Sequence, residues 1–215
     1  MDEHQHHHGQ HEHSGHGQQH WNERYASASR LFNSEPDELL VEFVSGLTPG
    51  RAVDLGAGEG RNSLWLAMNK WQVTAVDHSD VALGRLEAAA KDEQLRIETV
   101  VGDILEYLGR GEHFDLVVLA YIQWEPEERA RLLARAAAAV APGGHLYLIG
   151  HHLDSLGKGG PQQPERLYTE DSLRDAFPGL KLLSLERKER AAGDNGLPLV
   201  DIVVWAKRPS ADEPS

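Results

Sequence analysis

Apolar residues along this chain fall into short runs that alternate with stretches of helical period. Val53-Asp54-Leu55, Trp71-Gln72-Val73-Thr74-Ala75-Val76-Asp77, Thr99-Val100-Val101 and Phe114-Asp115-Leu116-Val117-Val118-Leu119-Ala120 are short and rich in β-branched or apolar residues. Such runs suit strands buried on both faces. The pattern predicts strands at 51–55, 72–77, 95–101, 114–120 and 145–150, with helices at 61–69, 80–92 and 126–140 between them. This alternation is the signature of a parallel sheet with helices on both faces. Ala141-Pro142-Gly143-Gly144 is expected to stop the last of these helices. Upstream, a helix is predicted from about Pro36 to Leu47, with Leu39, Leu40, Phe43 and Val44 on one face. Downstream, Thr169 is placed to cap a short helix from Glu170 to Phe177. Lys181–Arg190 and Leu199–Lys207 read as two final strands, joined through Gly193-Asp194-Asn195-Gly196.

Candidate chemistry sits where the strands end. After Asp54 come Gly56, Gly58 and Gly60, at every second position, and then a helix. Glycine tolerates positive φ and lets backbone approach a ligand closely, while a following helix presents free N–H groups to it. A dinucleotide fingerprint would need its third glycine at position 61, which is Arg61. Asp77 ends the second strand, where an α/β nucleotide site needs a carboxylate for ribose hydroxyls. Asp103 follows the third strand, placed to accept from an adenine amino group. Each acid also has a plainer reading as a turn or helix-cap residue.

The motif Asp-x-Gly-x-Gly-x-Gly, with the acids after it, resembles the class I S-adenosylmethionine (SAM) methyltransferases over residues 50–150. The segment from Asp54 to Ala67, which contains Gly60-Arg61-Asn62-Ser63, is similar to the tellurite-resistance branch. So is Trp21-Asn22-Glu23-Arg24-Tyr25, an element that folds over the cofactor in that branch. The resemblance implies a Rossmann-like α/β sheet of seven strands, mostly parallel, closed by an antiparallel C-terminal hairpin. It implies SAM as cofactor, with Gly56, Ala57, Gly58 and Gly60 along the methionine part and Asp54 supporting that loop. Asp77 and His78 then belong to the ribose side, and Asp103 and Ile104 to the adenine. Tyr25, Arg61 and Asn62 complete the cofactor set. Ala120, Tyr121 and Ile122, beyond the fourth strand, are implied to face the reacting sulfur, though Tyr121 also reads as a packing aromatic.

The acceptor side is less marked. His151-His152 follows the fifth strand, where α/β sites open. An imidazole there suits proton transfer or anion binding, and His151 is the candidate catalytic residue beside Tyr121. The plainer reading has one ring satisfying a loop backbone and the other meeting solvent. Residues 157–164 read as a mobile loop over the site, with Arg166 and Tyr168 closing it, or as an ordinary connection.

Charge and composition narrow the partners. The formal net charge is −13, and the basic residues are scattered, which disfavours a nucleic-acid substrate. Arg187-Lys188-Glu189-Arg190, the densest basic cluster, reads as the solvated end of a strand. Ala120-Tyr121-Ile122-Gln123 stands where amide-methylating enzymes carry Asn-Pro-Pro-Tyr. No apolar run is long enough to span a bilayer, and the N-terminus lacks the basic and apolar regions of a signal peptide. With no cysteine there is no thiolate metal site or cysteine nucleophile. The expected compartment is the cytoplasm, where SAM is made.

Three segments are expected. Residues 1–20 form a tail of His, Gln, Gly, Glu and Ser, too polar to order itself. A single domain follows over 21–208, and 209–215 are a disordered end. The tail histidines suit Ni²⁺, Zn²⁺ or Cu²⁺ through neutral imidazole, while no acid cluster after the fourth strand suggests a catalytic metal. The leading expectation is an enzyme methylating a small acceptor, a chalcogen oxyanion or thiol first, or another O- or N-acceptor. The competing one is a SAM-sensing or metal-buffering protein that works through its tail.

Overall fold

A computed structural model of the chain describes residues 17–29, 34–190 and 197–210. The elements run α1 (Gln18–Ala26), α2 (Glu38–Val44), β1 (Arg51–Leu55), α3 (Arg61–Met68), β2 (Gln72–Asp77), α4 (Asp80–Asp92) and β3 (Ile97–Val101). They continue with α5 (Ile104–Leu108), β4 (Phe114–Ala120), α6 (Pro126–Ala138), β5 (Val140–His151), α7 (Glu170–Arg174), β6 (Lys181–Arg190) and β7 (Leu199–Lys207). The seven strands form one sheet in the order β3-β2-β1-β4-β5-β7-β6. β1 pairs in parallel with β2 and β4, β2 with β3, and β4 with β5. β7 lies antiparallel between β5 and β6. Strand order therefore reverses between β1 and β4, the place where open α/β sheets leave a crevice for ligands.

The continuous apolar runs are explained by two-sided burial. Leu116 and Val118 of β4 pack with Leu40 and Val44 of α2 and Leu66 of α3. Val117 and Leu119, pointing the other way, pack with Leu132 and Leu133 of α6 and Phe177. Each of these buried leucines contributes about 1.5–3 kcal/mol through lost apolar exposure. Helix starts follow local capping chemistry. Asp37 accepts from the Leu39 and Leu40 amides to begin α2, and Ser79 accepts from Ala82 to begin α4. Thr169 and Ser172 form a reciprocal capping box at α7.

Several boundaries differ from the sequence expectation. The helix expected over 36–47 is only 38–44, because Asp37 is its cap and lies outside it. The short helix after Thr169 ends at Arg174 rather than Phe177. β5 begins at Val140, well before position 145, since Pro142-Gly143-Gly144 does not break the strand. Val140 pairs with Phe114 and His145 with Leu116, so the extra residues are taken up in an irregularity of register. A side chain at Gly144 would meet the Phe114 carbonyl oxygen at 3.0 Å, which explains a glycine there. α5 was not expected, and it is the turn that Asp103 caps by accepting from the Glu106 amide at 2.9 Å. α1 begins at Gln18, so helix replaces the expected disorder at 18–20. The rest of the His-rich tail, the 193–196 connection and 211–215 lie outside the described residues.

Candidate functional site

The loop after β1 has the backbone that its glycines permit. Gly56, Gly58 and Gly60 all have positive φ, at 68°, 56° and 79°. A side chain at Gly58 would strike the Tyr25 hydroxyl at 2.6 Å, and one at Gly60 would strike Leu86 Cδ1 of α4 at 2.3 Å. The first glycine position thus faces Ile122, the second the N-terminal helix, and the third the packing of α4 against the sheet.

Asp77 fastens this loop to the next one. Its Oδ2 accepts from the Gly58 amide at 2.8 Å, and its Oδ1 accepts from the Ser79 amide at 2.8 Å. Burial raises its pKa, against the lowering effect of those two amides. Asp54, 1% exposed, accepts from the Ser63 hydroxyl at 2.7 Å and so ties β1 to α3. Burial lifts the Asp54 carboxyl to about 6, more than the Ser63 hydroxyl and nearby Arg61 lower it.

Tyr25 is buried against this loop, and burial together with Asp77 and Glu59 raises its phenol well above the usual range. α1 is held by polar contacts that span the chain. Asn22 donates to Asp80 at 2.6 Å and accepts from the Ser79 hydroxyl at 2.7 Å. Arg85 donates to Glu59 at 2.6 Å and to the Tyr25 and Ala28 carbonyls at 2.9 and 2.8 Å. Asn22 and Arg85 were not singled out from the sequence. Arg85 carried no signal there, because on a charged helix it looks like any solvated residue.

The other expected cofactor residues are partly brought to this edge. His78 Nε2 lies 3.5 Å from Asp103 Oδ2. Ile104 is buried and reaches towards Gly56. Asn62 instead accepts from the Asp37 amide at 3.0 Å, and Arg61 lies 3.9 Å from the Asp37 carboxylate and over the Tyr121 ring. Asn62 thus joins α2 to α3. Ala57 and Ala120 are half-buried beside the loop and at the end of β4.

A second cluster gathers beyond β4 and β5. Tyr121 has φ of 58°, an uncommon left-handed conformation for an aromatic residue. Its hydroxyl donates to Asp201 Oδ2 at 2.8 Å, and its ring lies 5.1 Å from that of His151. His151 Nδ1 is 3.0 Å from Asp201 Oδ1. Arg190 Nε donates to Asp201 Oδ2 at 2.8 Å, so this arginine turns inward and does not merely end a solvated strand. Its neighbour Arg187 is paired with Asp154 and Glu170. Burial raises the Asp201 pKa, but His151, Arg190 and Tyr121 outweigh it and hold the carboxyl below the usual range. His152 is built differently. Its Nδ1 accepts from the Asp154 amide and its Nε2 faces Glu170 at 3.1 Å, leaving neither nitrogen for a ligand. Tyr168, expected to help close a loop, is buried and donates to the Ile122 carbonyl at 2.5 Å. Arg166 pairs with Glu125 at 2.5 Å. Among the described residues no group of three His, Asp or Glu side chains is arranged to hold a metal, and no helix is long and apolar enough to cross a membrane.

Residues 52–144 match the sequence profile of a methyltransferase domain. The solved structure of TehB from Haemophilus influenzae superposes with a TM-score of 0.70 at 19% identity, covering 89% of this chain and 66% of that one. In fold and core sequence the chain is similar to the class I SAM-dependent methyltransferases. A probable SAM-dependent methyltransferase TehB from Haemophilus influenzae is 33% identical over 79 residues, 37% of this chain and 27% of that protein. Hemagglutinin 1 from Eikenella corrodens is 28% identical over 148 residues, 68% of this chain and 49% of that protein. The chain spans about half or less of the length of these curated relatives.

Proposed function

We propose that the chain moves a methyl group from SAM to a small-molecule acceptor, a chalcogen oxyanion such as tellurite or selenite, or a thiol. One observation carries this reading: three glycines in left-handed conformation lie at the carboxyl edge of β1, tied to Asp77 at the end of β2. The residues suit the donor. Each Asp77 oxygen accepts one amide and keeps a lone pair, as ribose hydroxyls need. Gly56 and Gly58 leave backbone open to the methionine part, Tyr25 covers it, and Asp103 with Ile104 borders the adenine. SAM supplies an already activated sulfonium methyl, so the protein's work is orientation, desolvation and electrostatics. Tyr121 and His151 stand on the acceptor side, next to the cationic Arg61 and Arg190, in a chain that is otherwise strongly acidic. Each guanidinium is faced by a carboxylate, Arg61 by Asp37 and Arg190 by Asp201, so this edge offers hydrogen-bond donors rather than net positive charge to an anionic or ionisable acceptor.

The domain is taken to span 17–208, since α1 belongs to the site, with the His-rich segment before it dispensable for turnover. A divalent metal on that segment, and work in the cytoplasm where SAM is made, belong to the same reading. The test is an acceptor screen with SAM that reads S-adenosylhomocysteine release, including tellurite, selenite and small thiols. Release with one of these above the rate without acceptor is the expected result. Release with none of them, beside turnover of another O- or N-acceptor, would move the substrate class.

A further inference from the structure

Asp201 is 2% exposed, yet it belongs to none of the loops that hold the cofactor. It lies on β7, opposite His151 of β5 and Lys188 of β6 in the sheet register. Three side chains from three other strands or strand ends converge on it: His151 on Oδ1, and Tyr121 and Arg190 on Oδ2. Its nearest charged and titratable neighbours are Tyr121 after β4, His151 on β5 and Arg190 on β6, with Arg61 of α3 over the Tyr121 ring and the Asp37 carboxylate, bonded by Tyr147, beyond them.

We propose that Asp201 is the positioning residue of the acceptor side, fixing the His151 ring with Nδ1 protonated so that Nε2 is a proton acceptor. This rests on the methyltransferase reading above for its chemistry, but not for its geometry. The Tyr121 hydroxyl and the Arg190 guanidinium both donate to Oδ2, which keeps the carboxylate ionised and acceptor-only. His151 can then meet Oδ1 only through Nδ1–H, and this sets the tautomer. Among the described residues nothing takes Nε2. Gly160, at φ of 73°, lies against the Cδ2–Nε2 edge of the ring, where a side chain would come within 2.8 Å of Nε2, so only a glycine there leaves Nε2 unobstructed by a side chain. His152, with both nitrogens engaged, has no such free position. The Tyr121 hydroxyl is bonded to the same carboxylate, so one group engages two side chains beyond β4 and β5, while the Tyr121 backbone is pinned by its amide to the Ile149 carbonyl.

The proton balance is simple. The acceptor's lone pair forms the new bond to the methyl carbon, and the carbon–sulfur bond breaks with its electrons going to sulfur. A protonated acceptor gives its proton to His151 Nε2. The imidazolium formed is stabilised by Asp201 through Nδ1–H, and it returns the proton to solvent.

The test uses the full chain labelled with ¹⁵N at histidine, read by long-range proton–nitrogen correlation, with Asp201→Asn beside the parent. The parent should show neutral His151 as the Nδ1–H tautomer. In Asp201→Asn the side-chain oxygen stays with Tyr121 and Arg190, its amide group faces His151, and the ring should switch to Nε2–H. SAM affinity by calorimetry should stay within about two-fold, because the cofactor loops lie elsewhere. With tellurite as acceptor, kcat should fall roughly ten-fold or more. A parent His151 found as Nε2–H, or a variant with unchanged tautomer and turnover, overturns the proposal. If Asp201→Asn does not fold, the parent tautomer alone decides. If the parent shows the expected tautomer but no tellurite turnover, the acceptor reading fails and the Asp201 assignment stands.

Discussion

The Gly58 amide and the Asp77 carboxylate, nineteen residues apart, are joined by a 2.8 Å hydrogen bond across the carboxyl edge of β1 and β2. The same carboxylate holds the Ser79 amide. One side chain therefore sets the shape of the two adjoining loops at that edge. Asp77→Ala should weaken SAM binding by about 1–3 kcal/mol, the cost of losing hydrogen bonds made to a charged group. Calorimetry on the folded variant checks this, and unchanged affinity would remove Asp77 from the site.

Gly60 answers to packing rather than to ligand. A methyl group there meets Leu86 Cδ1 at 2.3 Å on a backbone with φ of 79°. Leu86 is fully buried and has little room to yield. Gly60→Ala should therefore cost about 2–4 kcal/mol from overpacking and backbone strain. A thermal melt should show a Tm lower by several degrees. A Tm equal to the parent's would mean that α4 is packed more loosely than its contacts indicate.

Asp54 imposes a pH dependence whose sign follows from its raised pKa. Its carboxyl moves from 3.8 to about 6 on folding. The folded chain thus binds this proton more tightly than the unfolded chain does. Stability from this group is greatest below about pH 4 and falls as pH rises to about 6. Asp54→Asn stays neutral and still accepts from Ser63. Denaturant melts should show the variant gaining on the parent by on the order of 2 kcal/mol between about pH 4 and pH 7. A difference that does not change with pH would contradict the raised pKa.

The His-rich segment is the feature that separates an enzyme from a metal-buffering protein. A chain beginning at Gly17 keeps α1 and its contacts to Ser79, Asp80 and Arg85. It should melt within a few degrees of the full chain and keep its turnover without added metal. Loss of S-adenosylhomocysteine release on truncation would make the segment part of the enzyme, whereas no release from either chain beside metal binding by the full one would favour the binding-protein reading.

The glycine loop and Asp77 were legible in the sequence because their chemistry is local: spacing alone states where backbone must turn and where a strand ends. The parallel core was legible because two-sided burial leaves continuous apolar runs such as Phe114 to Ala120. Asp201 and Arg85 were not, since His151 and Tyr121 lie 50 and 80 residues from Asp201, and the Tyr25 and Ala28 carbonyls 60 and 57 from Arg85, brought close only by β7 pairing or α1 docking. Arg190 looked like one charge in a solvated run until β6 paired with β7 and turned it towards Asp201. α5 and the start of α1 were missed for want of signal. The first is a single capped turn, and the second is polar enough to pass for tail.

The central claim is that the loop of Gly56, Gly58 and Gly60 with Asp77 makes a SAM site. Isothermal titration of the full chain with SAM, S-adenosylhomocysteine and NAD tests it most directly. The account predicts saturable binding of SAM and its demethylated product, weakened by Asp77→Ala, with little heat from NAD. Binding of NAD with none of SAM would contradict it.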